Sequence, residues 1–114
     1  MPRRRDTVKI KIKKLVESAV IPTYAHHGDA CMDVTAVSIR IVEEAGYGYV
    51  EYGTGLSFGI PDGYALEVVP RSSISNTGLI LVNSPCQIDS GYKGEVMLRF
   101  KWVKDSKMYN IGDR

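Results

Sequence analysis

Apolar and polar residues alternate along most of this chain of 114 residues, and the alternation constrains its fold more than any other feature. Lysines alternate with valine and isoleucine over residues 8–13, and Val96, Leu98 and Phe100 are spaced to share one side of a strand. A period of two is the repeat of a half-buried strand. No window of about a dozen residues shows a helical repeat with a cap at each end. The pattern therefore predicts an all-β domain.

Glycine and proline separate the strand patterns at short intervals. Pro61-Asp62-Gly63 lies between two apolar stretches, and its composition suits a tight turn because proline fixes φ and glycine accepts a positive φ. Further strand patterns lie at residues 38–41, 47–52, 79–82 and 108–111, and the best helical candidate, residues 15–19, is one turn long. Many short strands with glycine-rich turns predict a sandwich or a barrel-like jelly roll with essentially no helix.

The chain length suits a single domain over residues 1–114 with one core. No stretch approaches the roughly 18 apolar residues of a membrane span, so no membrane partner is predicted. The two cysteines, Cys31 and Cys86, have no metal-ligand spacing and are too few for a disulfide framework. A reducing, cytoplasmic location is therefore expected.

The basic residues are unevenly distributed although the net charge is only +2. Seven of the 15 lysines and arginines lie within residues 1–14. This cluster is either a nucleic-acid-binding arm or a solvated strand face whose lysines discourage edge-to-edge pairing. The alternation with apolar residues favours the strand, and no nucleic-acid partner is predicted.

Three polar, glycine-containing segments interrupt the strand patterns, at residues 25–33, 70–75 and 83–94. Arg71 stands beside Ser72 and Ser73, and a planar cation flanked by hydroxyl donors suits a phosphate group. Asp89 combines a potential base with a flexible turn and the aromatic ring of Tyr92. Each signal is weak alone, since such segments are common in surface loops.

Taken in order, these segments resemble the dUTPase family, which is marked by five ordered motifs. Residues 28–36 (GDACMDVTA) are similar to the first motif, and residues 54–64 lead into Pro-Arg-Ser-Ser (residues 70–73) as in the second. Residues 83–94 are similar to the third motif, the most specific of the set, and Gly-Asp-Arg at 112–114 to the opening of the fourth. The resemblance spans about residues 20–114 and implies a dUTPase-like jelly roll, or β-clip barrel.

The family resemblance implies hydrolysis of dUTP to dUMP and pyrophosphate. Asp89 matches the carboxylate that activates the attacking water. Tyr92 matches the ring under the deoxyribose that leaves no room for a 2′-hydroxyl, and Asn83 with the backbone of residues 87–89 matches the hairpin that reads uracil. Asp33 matches the acid that holds Mg²⁺ through water. The implied substrate-binding residues are Arg71, Ser72, Ser73, Asn83, Gln87, Ile88, Asp89, Tyr92 and Met97.

The resemblance also implies a homotrimer with active sites shared between subunits. Simpler roles remain open for three residues: Asp33 as a turn cap, Tyr92 as a core tyrosine and Met97 as a packing residue. Adjacent histidines on an extended segment point to opposite faces, so no metal site is predicted at His26 and His27.

Two residues depart from the family pattern. Cys86 stands where the third motif usually has glycine, and a positive φ there would strain a cysteine. Ser73 replaces a glycine common in the second motif, so its hydroxyl would either contact or crowd a phosphate.

Two other functions remain as alternatives. Arg-Ser-Ser also occurs in dCTP deaminases, but those enzymes carry a glutamate at the position of Arg99, and a guanidinium cannot shuttle the proton. The second alternative is a nucleotide- or protein-binding regulatory module without turnover. In the family a glutamine-bearing strand and a glycine-rich tail follow the segment matched by residues 112–114, so the 114 residues alone are expected to be impaired in catalysis.

Overall fold

The computed structural model describes residues 8–44, 47–103 and 107–114. Within these ranges one 3-10 helical turn, Ser72–Asn76, accompanies strands that confirm the all-β prediction. The strands are Lys11–Lys14 (β1), Ser38–Glu44 (β2), Tyr47–Gly53 (β3), Leu56–Gly59 (β4), Ala65–Val68 (β5), Leu79–Leu81 (β6), Cys86–Asp89 (β7) and Met97–Trp102 (β8). No helix in this part of the chain is long and apolar enough to cross a membrane.

The strands form three antiparallel groups. The largest has the order β2-β3-β8-β6, and the other two pair β1 with β4 and β5 with β7. In the large sheet Val50 lies opposite both Ile41 and Phe100, so these three side chains share a face. In the β5–β7 pair Asp89 lies opposite Ala65, at the end of β7.

Two apolar clusters form the core. The first lies between β4, β7 and the start of β8, and it contains Ala19, Leu56, Phe58, Ile60, Cys86, Ile88 and Val96. The second lies on one face of the large sheet and contains Val50, Tyr52, Leu79, Leu81 and Phe100. The alternation at residues 96–100 is confirmed, because Val96 and Phe100 are buried and Arg99 is exposed.

The predicted turn at Pro61-Asp62-Gly63 is also confirmed. The Tyr64 N–H donates to the carbonyl of Pro61 at 3.2 Å, and Gly63 has a φ of +85°. This turn joins β4 to β5 and so delivers the chain to the strand that pairs with β7.

The first strand is shorter than its sequence pattern. β1 begins at Lys11, and Val8 and Ile10 lie before it with 41% and 40% of their surface exposed. β4, the partner of β1, ends at Gly59 opposite Lys11. The alternating residues before Lys11 therefore have no partner strand in this pair. Residues 1–7, which carry the three arginines of the basic cluster, lie outside the described residues.

The strand pattern at residues 108–111 is not realised as a strand: Met108 and Tyr109 pack against the second core cluster, and a turn follows in which the Asp113 N–H donates to the Asn110 carbonyl at 3.0 Å. The Tyr109 ring contacts Tyr52 and Phe100 edge-on, with centroids 6.1 and 5.9 Å away. The Tyr52 hydroxyl donates to the Tyr109 carbonyl at 2.8 Å. Burial raises the pKa of Tyr52 to about 12, so this hydroxyl stays a donor.

Candidate active site

A cleft of about 410 Å³ opens where β6, β7 and β8 meet. It contains six of the predicted substrate-binding residues and five others. The six are Asn83, Gln87, Ile88, Asp89, Tyr92 and Met97, and the others are Glu51, Val82, Cys86, Val96 and Arg99. The fold therefore brings together every residue that the sequence assigns to the nucleoside and to the attacking water.

Strand β7 positions the centre of this cleft. Ile88 points into the first core cluster, while Gln87 and Asp89 on either side of it are exposed. Among the described strands β7 pairs only with β5, so its other side is a free edge. An outer strand presents unpaired backbone N–H and C=O groups. Backbone donors and acceptors are thus available beside the cleft.

A tight turn follows β7 and carries Tyr92. The Tyr92 N–H donates to the carbonyl of Asp89 at 3.1 Å, and the Tyr92 hydroxyl donates to the carbonyl of Glu95 at 2.6 Å. The side chain keeps 44% of its surface exposed and lines the cleft. Tyr92 is therefore a cleft residue and not a core tyrosine.

Strand β8 supplies the opposite wall of the cleft. Because Leu98 and Phe100 face the core, Met97 and Arg99 face the other side, and both line the cleft. Met97 is half-buried, so packing and ligand contact are compatible roles for it.

A row of charges across β2, β3 and β8 was not anticipated from sequence. Glu51 is 5% exposed and lies opposite both Arg40 and Arg99. Its carboxylate accepts from Arg99 at 2.7 Å and pairs with Arg40 at 3.0 Å, and the Arg99 guanidinium also lies 4.7 Å above the Tyr49 ring. Burial alone would raise the pKa of Glu51, but hydrogen bonds from the two arginines outweigh it and lower the pKa.

Cys86 does not adopt the positive φ that would strain a cysteine. Cys86 lies within β7, and no non-glycine residue in the described ranges has a positive φ. Its side chain is buried in the first core cluster, where burial raises the pKa of the thiol against an opposing hydrogen bond from Asn83. The cysteine therefore packs in the core at the inner wall of the cleft.

Arg71 and Asp33 lie outside the cleft. They line a separate groove of about 380 Å³ and not the cleft. Arg71 Nε is 3.4 Å from Asp33 Oδ1, and Arg114 Nη1 donates to Asp33 Oδ2 at 3.1 Å. Asp33 is thus held between two guanidinium groups and is more than a turn cap. We call Asp33, Arg71 and Arg114 the charged cluster.

The two serines of the Arg-Ser-Ser segment differ in exposure and in their contacts. Ser72 is exposed at the start of the 3-10 turn, next to Arg71. Ser73 is half-buried, and its hydroxyl lies 3.3 Å from the hydroxyl of Tyr109. Of the two, Ser72 is therefore the better placed for a ligand.

The backbone of His26 forms a hydrogen bond within its own loop. The His26 N–H donates to Asp29 Oδ2 at 2.8 Å. The described residues contain no group of three or more His, Cys, Asp or Glu side chains able to hold a metal ion.

Comparison with known proteins agrees with this arrangement of motifs. The dUTPase family model matches residues 17–114. The chain belongs to the dUTPase family.

A deoxyuridine 5′-triphosphate nucleotidohydrolase of Leifsonia xyli is 40% identical over 114 residues, which cover 96% of this chain and 70% of the relative. That of Gloeobacter violaceus is 35% identical over 94 residues, with 82% of this chain and 64% of the relative covered. The relative from Thermobifida fusca is 36% identical, but only 50% of its length is matched.

Solved dUTPase structures share the fold. The dUTPase of phage phi11 of S. aureus, described with a structural Mg(II) ion, superposes with a TM-score of 0.70 and 26% identity, over 83% of this chain and 60% of that one. A mutant dUTPase of Staphylococcus bacteriophage 80alpha with dUpNHpp gives a TM-score of 0.71 and 28% identity, over 90% of this chain and 59% of that one. The chain thus spans about half to seven-tenths of the length of these relatives.

Proposed function

We propose that this protein hydrolyses dUTP to dUMP and pyrophosphate, which removes dUTP from the nucleotide pool and supplies dUMP. The observation that carries the proposal is the single cleft that unites Asp89 with Asn83, Gln87, Tyr92 and Met97. Membership of the dUTPase family supports the choice of substrate.

In the proposed mechanism the cleft reads the nucleoside. The free edge of β7 offers backbone N–H and C=O groups to the uracil edge, and Asn83 adds a side-chain amide. A cytosine amino group would meet another donor there, and a buried donor without an acceptor costs about 1–3 kcal/mol. The Tyr92 ring lies under the deoxyribose, where a 2′-hydroxyl would collide with it.

Asp89 is the proposed catalytic base. Its carboxylate is exposed at the end of β7, at the border of the cleft, where it can hold a water molecule by a hydrogen bond. The carboxylate takes a proton from this water as the oxygen bonds to the α-phosphorus. The bond from the α-phosphorus to the bridging oxygen breaks, and pyrophosphate leaves with the electron pair.

The charged cluster is the proposed phosphate and metal region. Arg71 and Ser72 offer donors to the phosphate oxygens. Asp33 is a single carboxylate already held by Arg71 and Arg114, so it suits a metal held through water rather than a cage of protein ligands. Mg²⁺ keeps several of its waters and binds mainly through phosphate oxygens, which fits this donor set. When bound there with the triphosphate, it would neutralise phosphate charge.

The cluster and the cleft are separate on one copy of the chain, and this supports a homotrimer. In a cyclic assembly the cleft of one subunit faces a different surface of its neighbour. We propose that Arg71, Ser72 and Asp33 of one subunit complete the cleft of the next. Free thiols at Cys31 and Cys86 support the proposed cytoplasmic location.

Hybrid assemblies test this proposal. Asp89→Asn chains and Arg71→Ala chains, each of low activity alone at subsaturating dUTP, are unfolded together in equal amounts, refolded and assayed for pyrophosphate release from dUTP. If each site joins two subunits, random mixing gives about a quarter of the sites an intact Asp89 and an intact Arg71. Activity that returns only after mixing supports the shared site. Mixtures as inactive as the two parents would show that both residues must come from one chain.

A separate titration distinguishes an enzyme from a binding module. Calorimetry with dUpNHpp measures affinity, and pyrophosphate release measures turnover. Binding without any turnover, in this chain and in a form extended by a relative's C-terminal segment, would contradict hydrolysis and favour the regulatory alternative.

A further inference from the structure

Tyr92 lies on a glycine that has no room for a side chain. A Cβ atom added to Gly94 would lie 2.7 Å from the Tyr92 hydroxyl oxygen, 2.9 Å from Cζ and 3.2 Å from Cε1. Gly94 is not among the glycines with a positive φ, so its backbone suits any residue. The glycine is required by the space that the tyrosine ring occupies and not by its own conformation.

The backbone around Gly94 cannot easily move away from such a clash. The Ser57 hydroxyl donates to the Lys93 carbonyl at 2.8 Å, and the Gly55 N–H donates to the Glu95 carboxylate at 2.9 Å. Val96 is held on both sides, because its N–H donates to Leu56 and its carbonyl accepts from Thr54. Both flanks of Gly94 are therefore tied to the buried β3–β4 junction.

The Tyr92 ring is held much less firmly. It is 44% exposed, and its side chain makes one hydrogen bond among those described, to the Glu95 carbonyl. When a Cβ is added, the exposed ring has more freedom to shift than the anchored backbone. Because the ring lines the cleft beside Asp89, a shift would change the shape of the sugar position.

We propose that Gly94 is a positioning residue that sets the preference for deoxyribonucleotides over ribonucleotides by seating the Tyr92 ring. This inference rests on the proposed function for its ligand, but the seating itself is a property of the free protein. Gly91 offers a matched control in the same loop. A Cβ there would meet nothing within 4 Å, and Gly91 also lacks a positive φ.

The first experiment compares wild type, Gly94→Ala and Gly91→Ala. Calorimetry measures the affinity of each for dUpNHpp and for the matching ribonucleotide, UpNHpp. Wild type and Gly91→Ala should share one preference for the deoxy form, and Gly94→Ala should lose about tenfold or more of it. A preference in Gly94→Ala within about twofold of wild type would overturn the inference.

A second measurement tests the seating without nucleotide. Tyr92→Leu removes the three atoms that a Cβ at position 94 would strike, so Gly94→Ala should lower the melting temperature only when Tyr92 is present. The double variant is free of the clash and should fold even if Gly94→Ala alone does not. An equal drop in both backgrounds would show that the ring is not the group seated there.

The two experiments separate the inference from the proposed function. A wild-type chain that binds neither nucleotide would overturn the proposed function, and one that binds both equally would overturn the role proposed for the Tyr92 ring. The melting temperatures would still decide whether Gly94 seats the ring.

Discussion

The cleft and the charged cluster are built in different ways. The cleft rests on strand pairing, on backbone hydrogen bonds around residues 89–96 and on buried neighbours such as Cys86 and Val96. The charged cluster joins three exposed or half-exposed side chains, Asp33, Arg71 and Arg114, through contacts of 3.1–3.4 Å. The shape of the cleft is therefore established within one copy of the chain, whereas the proposed phosphate binding depends on exposed charges that a partner or a ligand can rearrange.

This difference predicts that the functions of the cleft can be separated from triphosphate binding by mutation. Changes in the cleft should alter selectivity or chemistry, and changes in the charged cluster should alter triphosphate binding. Four predictions test the division.

The largest effect is expected from Asp89→Asn. The amide keeps the shape of the side chain but is not a base, so kcat should fall by about four decades, the upper end for general-base catalysis. The affinity for dUpNHpp, measured by calorimetry, should stay within about threefold. Asp62→Asn, at an exposed turn position, is the matched control. A variant that retains substantial turnover would show that the base is another residue.

The second prediction concerns closure over the phosphates. Adding the C-terminal segment of the Leifsonia xyli relative after Arg114 should raise the turnover of dUTP by about two to four decades, or about 3–5 kcal/mol. The added segment would exclude water and orient the triphosphate. A glycine-serine segment of equal length is the control. Equal rates of pyrophosphate release with and without the relative's segment would contradict this role.

The third prediction concerns the charged cluster. Arg71→Ala should weaken dUpNHpp binding about ten- to a hundredfold, because a charged hydrogen bond contributes about 1.5–3 kcal/mol. Deoxyuridine, which has no phosphate, should bind equally well to the variant and the wild type. Lys101→Ala removes an exposed cation that lines neither the cleft nor the groove and should change neither affinity. Weaker deoxyuridine binding by Arg71→Ala would contradict the separation of nucleoside binding in the cleft from phosphate binding at the charged cluster.

The smallest effect is expected at the wall of the cleft. The arginines lower the pKa of Glu51 below its ordinary value of 4.5, so the folded state binds fewer protons there than the unfolded state. This stabilisation is present above pH 4.5 and is lost as the pH falls through the lower, folded pKa. Glu51→Gln should therefore cost about 1 kcal/mol at neutral pH, since both arginines are solvent-exposed, and progressively less in acid.

Urea unfolding at several pH values measures the Glu51 effect. Glu17→Gln, at an exposed position, is the control and should change the free energy of unfolding little at any pH. A cost that does not shrink in acid would show that Glu51 contributes by packing rather than by charge.

The sequence predicted the elements with local signals. The turn at residues 61–63 follows from proline and glycine chemistry, and the two faces of β8 follow from alternation. The motif resemblance placed six residues that the fold brings into one cleft. The turn and strand predictions succeeded because a strand's period and a turn's composition are properties of a few neighbouring residues.

The parts that were missed depend on the three-dimensional arrangement of the strands and loops. Glu51 meets Arg99 across 48 positions of sequence, and alternation tells which face each occupies but not which residue lies opposite. Whether the backbone at Cys86 has a positive φ could not be read from the sequence, and in the structure the residue lies in a strand without one. The separation of Arg71 from the cleft also could not be predicted from the order of the motifs, because that order says nothing about the distances between motifs in the folded chain.

Residues 107–114 tie the end of the described chain to its first half. Tyr52 bonds to a carbonyl 57 positions later, and Asp33 pairs with Arg114 across 81 positions. Contacts so distant in sequence form late during folding, because a long loop must close before they contribute, and domains dominated by them fold in milliseconds to seconds. A nascent chain could not complete the second core cluster until Tyr109 had emerged from the ribosome. Until then the apolar face of the large sheet that Tyr109 covers would stay exposed and open to aggregation.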